Sequence, residues 1–355
     1  MPQDDACAES IDKLLKSHNK VVRRRRLIIA GLVFLAVAAF TVGTIVGPVN
    51  LSVRDVFVGL VNPSSLDDTA HTVLWKLRLP MSVMAVLVGM SLGAAGSQMQ
   101  TILGNPLAEP FTLGISAASA FGGAAGIVLG WNPLGHPQLS LAAMAWGSSM
   151  LATGVIIAAA IVKKASAETM ILLGIGLVFL FQALLALMQY RSSAEALQRI
   201  VFWMMGSMSR ATWLGNSVVA GALVVSLPVM WFLSWQLTAL RLGDERAKAM
   251  GVNVLTLRVV MLGIVSVLTA SAVAFCGIIG FIGLVGPHIA RMLVGEDQRY
   301  FLPASMAAGA TLLAGAHALS LIIIPGLAIP IGIITALIGV PFFIFIVLTR
   351  KRALW

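Results

Sequence analysis

The stretch of this sequence best equipped to act on another molecule is Arg241 to Asn253, RLGDERAKAMGVN, where Gly243 and Gly251 bracket a short polar run carrying Asp244, Glu245, Arg246 and Lys248. A short polar helix between apolar blocks suits docking into a groove on another subunit and receiving force there. The same composition equally suits a solvated connector. Covalent chemistry is poorly provided for. The sequence has no G-x-x-x-x-G-K-[ST] run to cradle nucleotide phosphates, no H-E-x-x-H pair for a catalytic metal and no G-x-S-x-G turn to present a nucleophile. Cys7 and Cys276 are the only cysteines, and no Cys/His spacing suggests zinc or an iron–sulfur cluster. His288 and His317 stand at no metal-ligand spacing and read as hydrogen-bonded structural residues. The 17 Met read as packing residues rather than a metal conduit. Apart from the N-terminal segment and the first outer loop, Asp and Glu fall in predicted loops or at helix ends: Glu109, Glu168, Glu195, Asp244, Glu245, Glu296 and Asp297. That argues against a pump driven through intramembrane carboxylates.

The elements that must position these residues are membrane spans. Of 355 residues, 59% are hydrophobic and 11% charged, with a mean hydropathy of +0.95, against roughly 25% charged in an average soluble domain. The chain reads as an all-α integral membrane protein, since an outer-membrane barrel would show alternating strands of about 10 residues. Stretches of roughly 20 apolar residues cross the hydrocarbon core. Leu27–Gly47, Leu79–Ala108, Thr169–Tyr190 and Ala211–Leu240 each fit one span. Pro110–Val162 fits two, divided by Trp131, Asn132, Pro133, Gly135, His136 and Pro137. Val259–Ala290, interrupted by Gly277, Gly280, Gly283, Gly286 and Pro287, predicts a full span and a shorter broken helix. Tyr300–Thr349 divides at Pro325, Gly326 and Pro330, which brings the expected total to about ten.

Basic residues set the orientation, because cytoplasmic loops retain Lys and Arg. With the N-terminus inside, eighteen of the 24 fall on the inner side, Lys163, Lys164, Arg258, Arg350, Lys351 and Arg352 among them. Arg54, Lys76, Arg78, Arg191, Arg199 and Arg210 remain outside. The expectation is N-in, C-in. The net charge of +10 then reflects topology and anionic membrane lipid, not nucleic acid. Residues 1–26 read as a disordered, basic cytoplasmic tail leading into a retained anchor, 27–350 as one transmembrane domain, and 351–355 as a cytoplasmic end. Glycine pairs such as Gly89-x-x-x-Gly93 and Gly122-x-x-x-Gly126 predict close helix packing. Gln98 and Gln100 either line a pathway or bond across helices.

Several motifs occur together and in order between about residues 50 and 350: Arg78-Leu79-Pro80, Gly104-Asn105-Pro106-Leu107-Ala108-Glu109-Pro110, Trp203-Met204-Met205-Gly206-Ser207, LGDERAKAMGV from Leu242, GIIGFIGLVGPHIAR from Gly277 and PIGIITALIGVPFFIFIVL from Pro330. Jointly they resemble the FecCD family, the permeases of ABC importers for iron-siderophores, haem and vitamin B12. The resemblance implies a type II importer permease of ten spans, with spans two to five and seven to ten as inverted repeats. It implies work in the cytoplasmic (inner) membrane beside two ATPase subunits, which bind ATP and Mg while this chain binds no cofactor. A second permease subunit and a periplasmic or lipid-anchored substrate-binding protein complete the assembly. By position, Leu242, Gly243, Asp244, Glu245, Ala247 and Gly251 match the ATPase-coupling loop. Asn105, Pro106 and Leu107 with Ala167 and Glu168 match the cytoplasmic gate, and Arg78 matches a binding-protein docking residue. Trp203, Met204, Met205 and Gln98 are the pathway candidates.

Met81 departs from the family's Arg-Leu-Pro-Arg, and His317, Leu321 and Ala328 stand where Asp, Arg and Glu are usual. A heterodimer whose partner keeps those charges, or drift within a homodimer, accounts for this, with the heterodimer slightly favoured. The function expected is ferric-siderophore import by alternating access. A haem or cobalamin importer is the nearest alternative, and an ion-coupled secondary transporter is the rival from another class.

Overall fold

The helix at the centre of the molecule carries no charged side chain, in keeping with burial over most of its surface. This is α4, Leu79–Ile102. In the computed structural model, residues 2–47, 49, 52–163, 166–324 and 326–349 are described. Lys164, Pro325, Arg350 and the 351–355 end lie outside the described residues.

Among the described residues every regular element is helical, the arrangement that satisfies backbone groups within hydrocarbon. The elements flanking α4 on the N-terminal side are α1 (Pro2–Ile45), α2 (Val53–Val61) and α3 (Asp68–His71), the last joined to α4 by a π-helical turn, Thr72–Arg78. After α4 come α5 (Ile115–Leu129), α6 (Pro137–Lys163), α7 (Ala167–Tyr190), α8 (Ala194–Met204), α9 (Trp213–Phe232), α10 (Ser234–Leu240) and α11 (Asp244–Ala249). The chain closes with α12 (Val254–Cys276), α13 (Ile282–Val294), α14 (Gln298–Ile322) and α15 (Ile331–Thr349). Seven helical stretches among the described residues are long and apolar enough to cross a membrane: Leu15–Ile45, Asp68–Ile102, α6, α7, α9, α12 and α14. Shorter apolar helices, α5, α13 and the Ile331–Phe345 part of α15, stand where three further spans were expected.

Three boundaries differ from expectation. The basic N-terminal segment is helical from Pro2 and continuous with the first span rather than disordered. It has no Gly or further Pro before Gly31, and Arg25 ties it to α14 through Asp297 (3.8 Å) and the Tyr300 ring (5.1 Å). The span expected to run to Ala108 stops at Ile102, because Gly104 takes a left-handed φ of 60° and Asn105-Pro106 follows. Ala211–Leu240 is two helices broken at Leu233. The expected turn after α5 is present, pinned by Ser140 Oγ donating to Asn132 Oδ1 at 2.7 Å.

Backbone contact between small residues holds the centre together. A Cβ on Gly89 would lie 2.5 Å from the Gly309 carbonyl oxygen, and one on Gly93 2.2 Å from that of Ser305, so α4 and α14 meet with no room for a side chain. Ser91 and Thr101 donate back to the carbonyls of Leu87 (2.9 Å) and Ser97 (2.8 Å), which satisfies their hydroxyls in the apolar interior. Gly93→Leu is therefore expected to cost about 3 kcal/mol or more by overpacking. The check is thermal unfolding of the detergent-solubilised chain, where an unchanged midpoint would contradict this contact.

Candidate functional site at the basic end of the bundle

A cavity of about 910 Å³ opens where the loop after α4, the start of α7, the α10–α11 turn and the ends of α12 and α13 converge. It gathers Pro106, Ala167, Glu168, Gly243 and Asp244, predicted sites scattered over 139 positions of sequence, together with Gln100, Arg241, Arg258, His288, Arg291 and Glu296.

On one rim sits α11. Gly243 enters it at φ 99° and Gly251 leaves it at φ 84°, backbone states that disfavour any side chain. Ala247 is fully buried beneath it. Glu245 faces outward and pairs with Lys248 at 2.8 Å; that hydrogen bond and charge hold its carboxyl below the usual glutamate range. Leu242 and Met250 flank the helix as exposed apolar side chains. The outward face thus mixes charge with unburied apolar area, while the inward face is anchored. Arg258 supplies the anchor: its Nη1 and Nη2 donate to Asp244 Oδ2 and Oδ1 at 2.8 and 2.9 Å, and its Nε donates to the Ile102 carbonyl at 2.8 Å. One buried guanidinium therefore joins α11, α12 and the C-terminal end of α4.

Across the cavity, Arg241 and Arg291 share Glu296, the second at 3.0 Å, and both lie over the Phe301 ring at 5.9 and 5.5 Å. Arg291 Nη2 also donates to Gln100 Oε1 at 2.7 Å. Asn105 shapes the loop after α4, its Oδ1 accepting from the Leu107 N–H at 2.9 Å; Asn105 and Leu107 themselves do not line the cavity. Farther along this loop Glu109 accepts from the Phe281 amide at the start of α13, and its Oε2 is buried without a partner. Burial pushes its carboxyl up to about 7. Phe281 is the only non-glycine among the described residues with positive φ, 68°.

The remaining predicted sites lie elsewhere. Arg78, expected to project toward a docking partner, is only 5% exposed and donates to the carbonyls of Thr44 (3.3 Å), Ile45 (2.6 Å) and Val49. The inward guanidinium staples the chain after α1. Gln98 is fully buried, its Nε2 donating to Gln298 Oε1 at 3.1 Å across α4 and α14. The cross-helix bond, one of its two readings, is thus present. Trp203 is buried against Gly123. Met204 is half-buried, its Sδ 3.9 Å from Gln189 Nε2, and Met205 is exposed, its carbonyl accepting from Gly332 at 3.1 Å.

The matched family model is the FecCD transport family, over residues 32–349. The chain belongs to the FecCD transport family. This FecCD permease is 33% identical over 332 residues to the hemin transport system permease protein of Yersinia pestis, covering 92% of this chain and 97% of that one. It is 35% identical over 331 residues to the molybdate import system permease protein of Haemophilus influenzae, covering 92% and 96%. A solved structure of a metal-chelate type ABC transporter in an inward-facing conformation superposes with a TM-score of 0.81 at 32% identity, over 92% of this chain and all of that one. The molecule is a multi-pass membrane permease subunit of an ABC importer. Two residues central to its geometry escaped sequence reasoning. Arg258 counted only as an inner positive charge, although Asp244 opening the adjacent polar run was an available signal. Glu109 lay within a recognised motif, but nothing local pointed to Phe281.

Proposed function

We propose that this FecCD permease carries a ferric siderophore across the cytoplasmic membrane by alternating access, powered by two partner ATPase subunits that hold ATP and Mg. Ten spans, with the three shorter apolar helices counted, and inverted repeats of spans two to five and seven to ten accompany this reading, as does an N-in, C-in orientation. The observation that carries it is the cavity rim, where an outward-facing helix with exposed Leu242, Glu245 and Met250 is tied by Arg258 to the ends of two long helices. Force applied to α11 then reaches α4 and α12 directly. The Asn105–Leu107 loop and the Ala167–Glu168 turn narrow the inner mouth. A second permease subunit completes the pathway, with Met205 facing it, and a substrate-binding protein docks on the opposite end. With Arg78 turned inward, Arg54, Lys76, Arg191 and Arg199 are exposed basic side chains offered there. A solved relative described as metal-chelate type supports a chelate as cargo, and the hemin permease keeps haem as the second reading.

Copurification in mild detergent, followed by ATPase and uptake assays with candidate binding proteins and ligands, tests the proposal. Two cassettes with this chain and siderophore-stimulated hydrolysis are the expected result; stimulation by haem alone replaces the substrate. A chain recovered alone, with ion-driven uptake in liposomes, overturns the importer reading. Within this scheme Gly251→Val forces a β-branched residue into positive φ, and Glu245→Lys reverses an exposed charge. Each is expected to lower uptake at least tenfold and weaken ATPase association while membrane insertion is unchanged. Wild-type uptake in both variants would remove the coupling role from this helix.

A further inference from the structure

A wholly apolar groove of about 450 Å³ runs between α1, α4 and α14, lined by Ile29, Val33, Phe40, Met90, Pro303 and Ala307 among others. Its lining belongs to stretches that can cross a membrane, so hydrocarbon bathes it. Helical register decides what stands at its basic end. On α1, Ile29, Val33, Val37 and Phe40 form one stripe, and one turn below Ile29 on that stripe lies Arg26. On α14, Pro303, Met306, Ala307 and Ala310 form another, and one turn below Pro303 lies Arg299. Both arginines are exposed. Arg25 stacks on Tyr300 at 5.1 Å and reaches Asp297 at 3.8 Å, which packs the basic ends of α1 and α14, and so the rims that carry Arg26 and Arg299, against each other. Arg299 is 3.5 Å from Asp297, a carboxylate it shares with Arg25, which leaves positive charge in excess at this rim. Lys20, Arg23 and Arg24 add to that field from the next turns of α1.

We propose that this groove is a binding site for an anionic phospholipid, one acyl chain lying between α1, α4 and α14 and the headgroup phosphate held between Arg26 and Arg299. The apolar channel explains the chain; the paired arginines explain the charge, since a guanidinium fork matches phosphate oxygens. A zwitterionic lipid fits the same groove but neutralises the rim less well. The site is separate from the cavity beside α11 and independent of the cargo.

The test is native mass spectrometry of the purified full chain in mild detergent, exchanged against phosphatidylglycerol and phosphatidylethanolamine in turn. One phosphatidylglycerol retained per chain in preference to phosphatidylethanolamine is expected. Arg26→Gln with Arg299→Gln is expected to weaken phosphatidylglycerol roughly thirtyfold, taking about 1 kcal/mol per basic residue near the membrane surface, and to leave phosphatidylethanolamine unchanged. Val33→Trp, which fills the groove from an exposed position, is expected to displace both lipids without touching the arginines. Equal retention of phosphatidylglycerol by wild type and the double Gln variant overturns the headgroup site. Unchanged retention in Val33→Trp overturns the groove. Cross-linking of Val33→Cys in native membranes to a second permease chain would show that a protein, not a lipid, fills it.

Discussion

Arg258→Met is expected to lower ATP-driven uptake at least tenfold while the ATPase subunits still associate. Arg258 is a buried side chain on α12 whose donors reach two other elements: Asp244 at the start of α11 and the Ile102 carbonyl at the end of α4. The Ile102 carbonyl is one of the last four of its helix and has no intrahelical partner. Methionine keeps the stem's packing and removes every donor. It strands that carbonyl and leaves Asp244 to water, which the carboxylate reaches because it is 41% exposed. Hydrogen bonds to charged groups contribute about 1.5–3 kcal/mol each, and exposure of Asp244 puts its share at the lower end. The outward side chains Leu242, Glu245 and Met250 are untouched, so docking persists while motion of α11 no longer reaches α4. ATP hydrolysis that continues without uptake is the signature. Lysine restores charge but not the bidentate fork, and it is expected to rescue only partly. A double-mutant cycle with Asp244→Asn checks the pairing: strongly non-additive losses are expected. Additive losses, or wild-type uptake in Arg258→Met, would contradict the link.

Glu109→Gln is expected to abolish a pH dependence that the wild-type loop shows between about pH 4.5 and pH 7. The Glu109 carboxyl rises from its ordinary 4.5 to about 7 because burial penalises the charged form more than the Phe281 amide relieves it. The sign follows from which arrangement holds the proton. Below about 4.5 both the buried arrangement and one that hydrates the carboxyl are protonated, and burial is at its most stable. Between 4.5 and 7 only the buried arrangement holds the proton, so each pH unit weakens it by up to about 1.4 kcal/mol, roughly tenfold in population. Above 7 both are ionised and the effect levels off. Glutamine is neutral throughout and keeps an acceptor for the Phe281 amide. Hydrogen exchange in the 104–114 and 277–285 segments, corrected for the intrinsic rate, measures the opening. The wild type is expected to open more as pH rises through that window and Glu109→Gln to stay flat. Equal slopes in the two proteins would remove Glu109 as the titrating group. The position matters because Phe281 is held at positive φ, and strained backbone of this kind persists only where its surroundings enforce it.

Local sequence was enough for the all-helical membrane character of this chain, most of the turns between its helices and the short polar helix α11. The reason is local: an uncharged stretch in hydrocarbon must satisfy its own backbone, and Gly243 and Gly251, both at positive φ, bracket a short polar run. The stop at Gly104 was legible in the same way, although the apolar run past it masked the boundary. The assignment of polar side chains to partners came instead from how the helices pack. Arg78 stands in an Arg-Leu-Pro motif at a helix start, and nothing within ten residues says that it will turn back to the carbonyls of Thr44, Ile45 and Val49. The cross-helix partner of Gln98 is Gln298, 200 positions away and brought within 3.1 Å by α14. Arg258 with Asp244 and Glu109 with Phe281 are of the same kind. Such pairs depend on how each helix is rotated against its neighbours, and that rotation is set by the many small backbone contacts, Gly89 on Gly309 and Gly93 on Ser305 among them, that let α4 lie at the centre. In a low-dielectric interior a polar group takes whichever partner the packing delivers, because leaving it unpaired costs more than any local preference can offset.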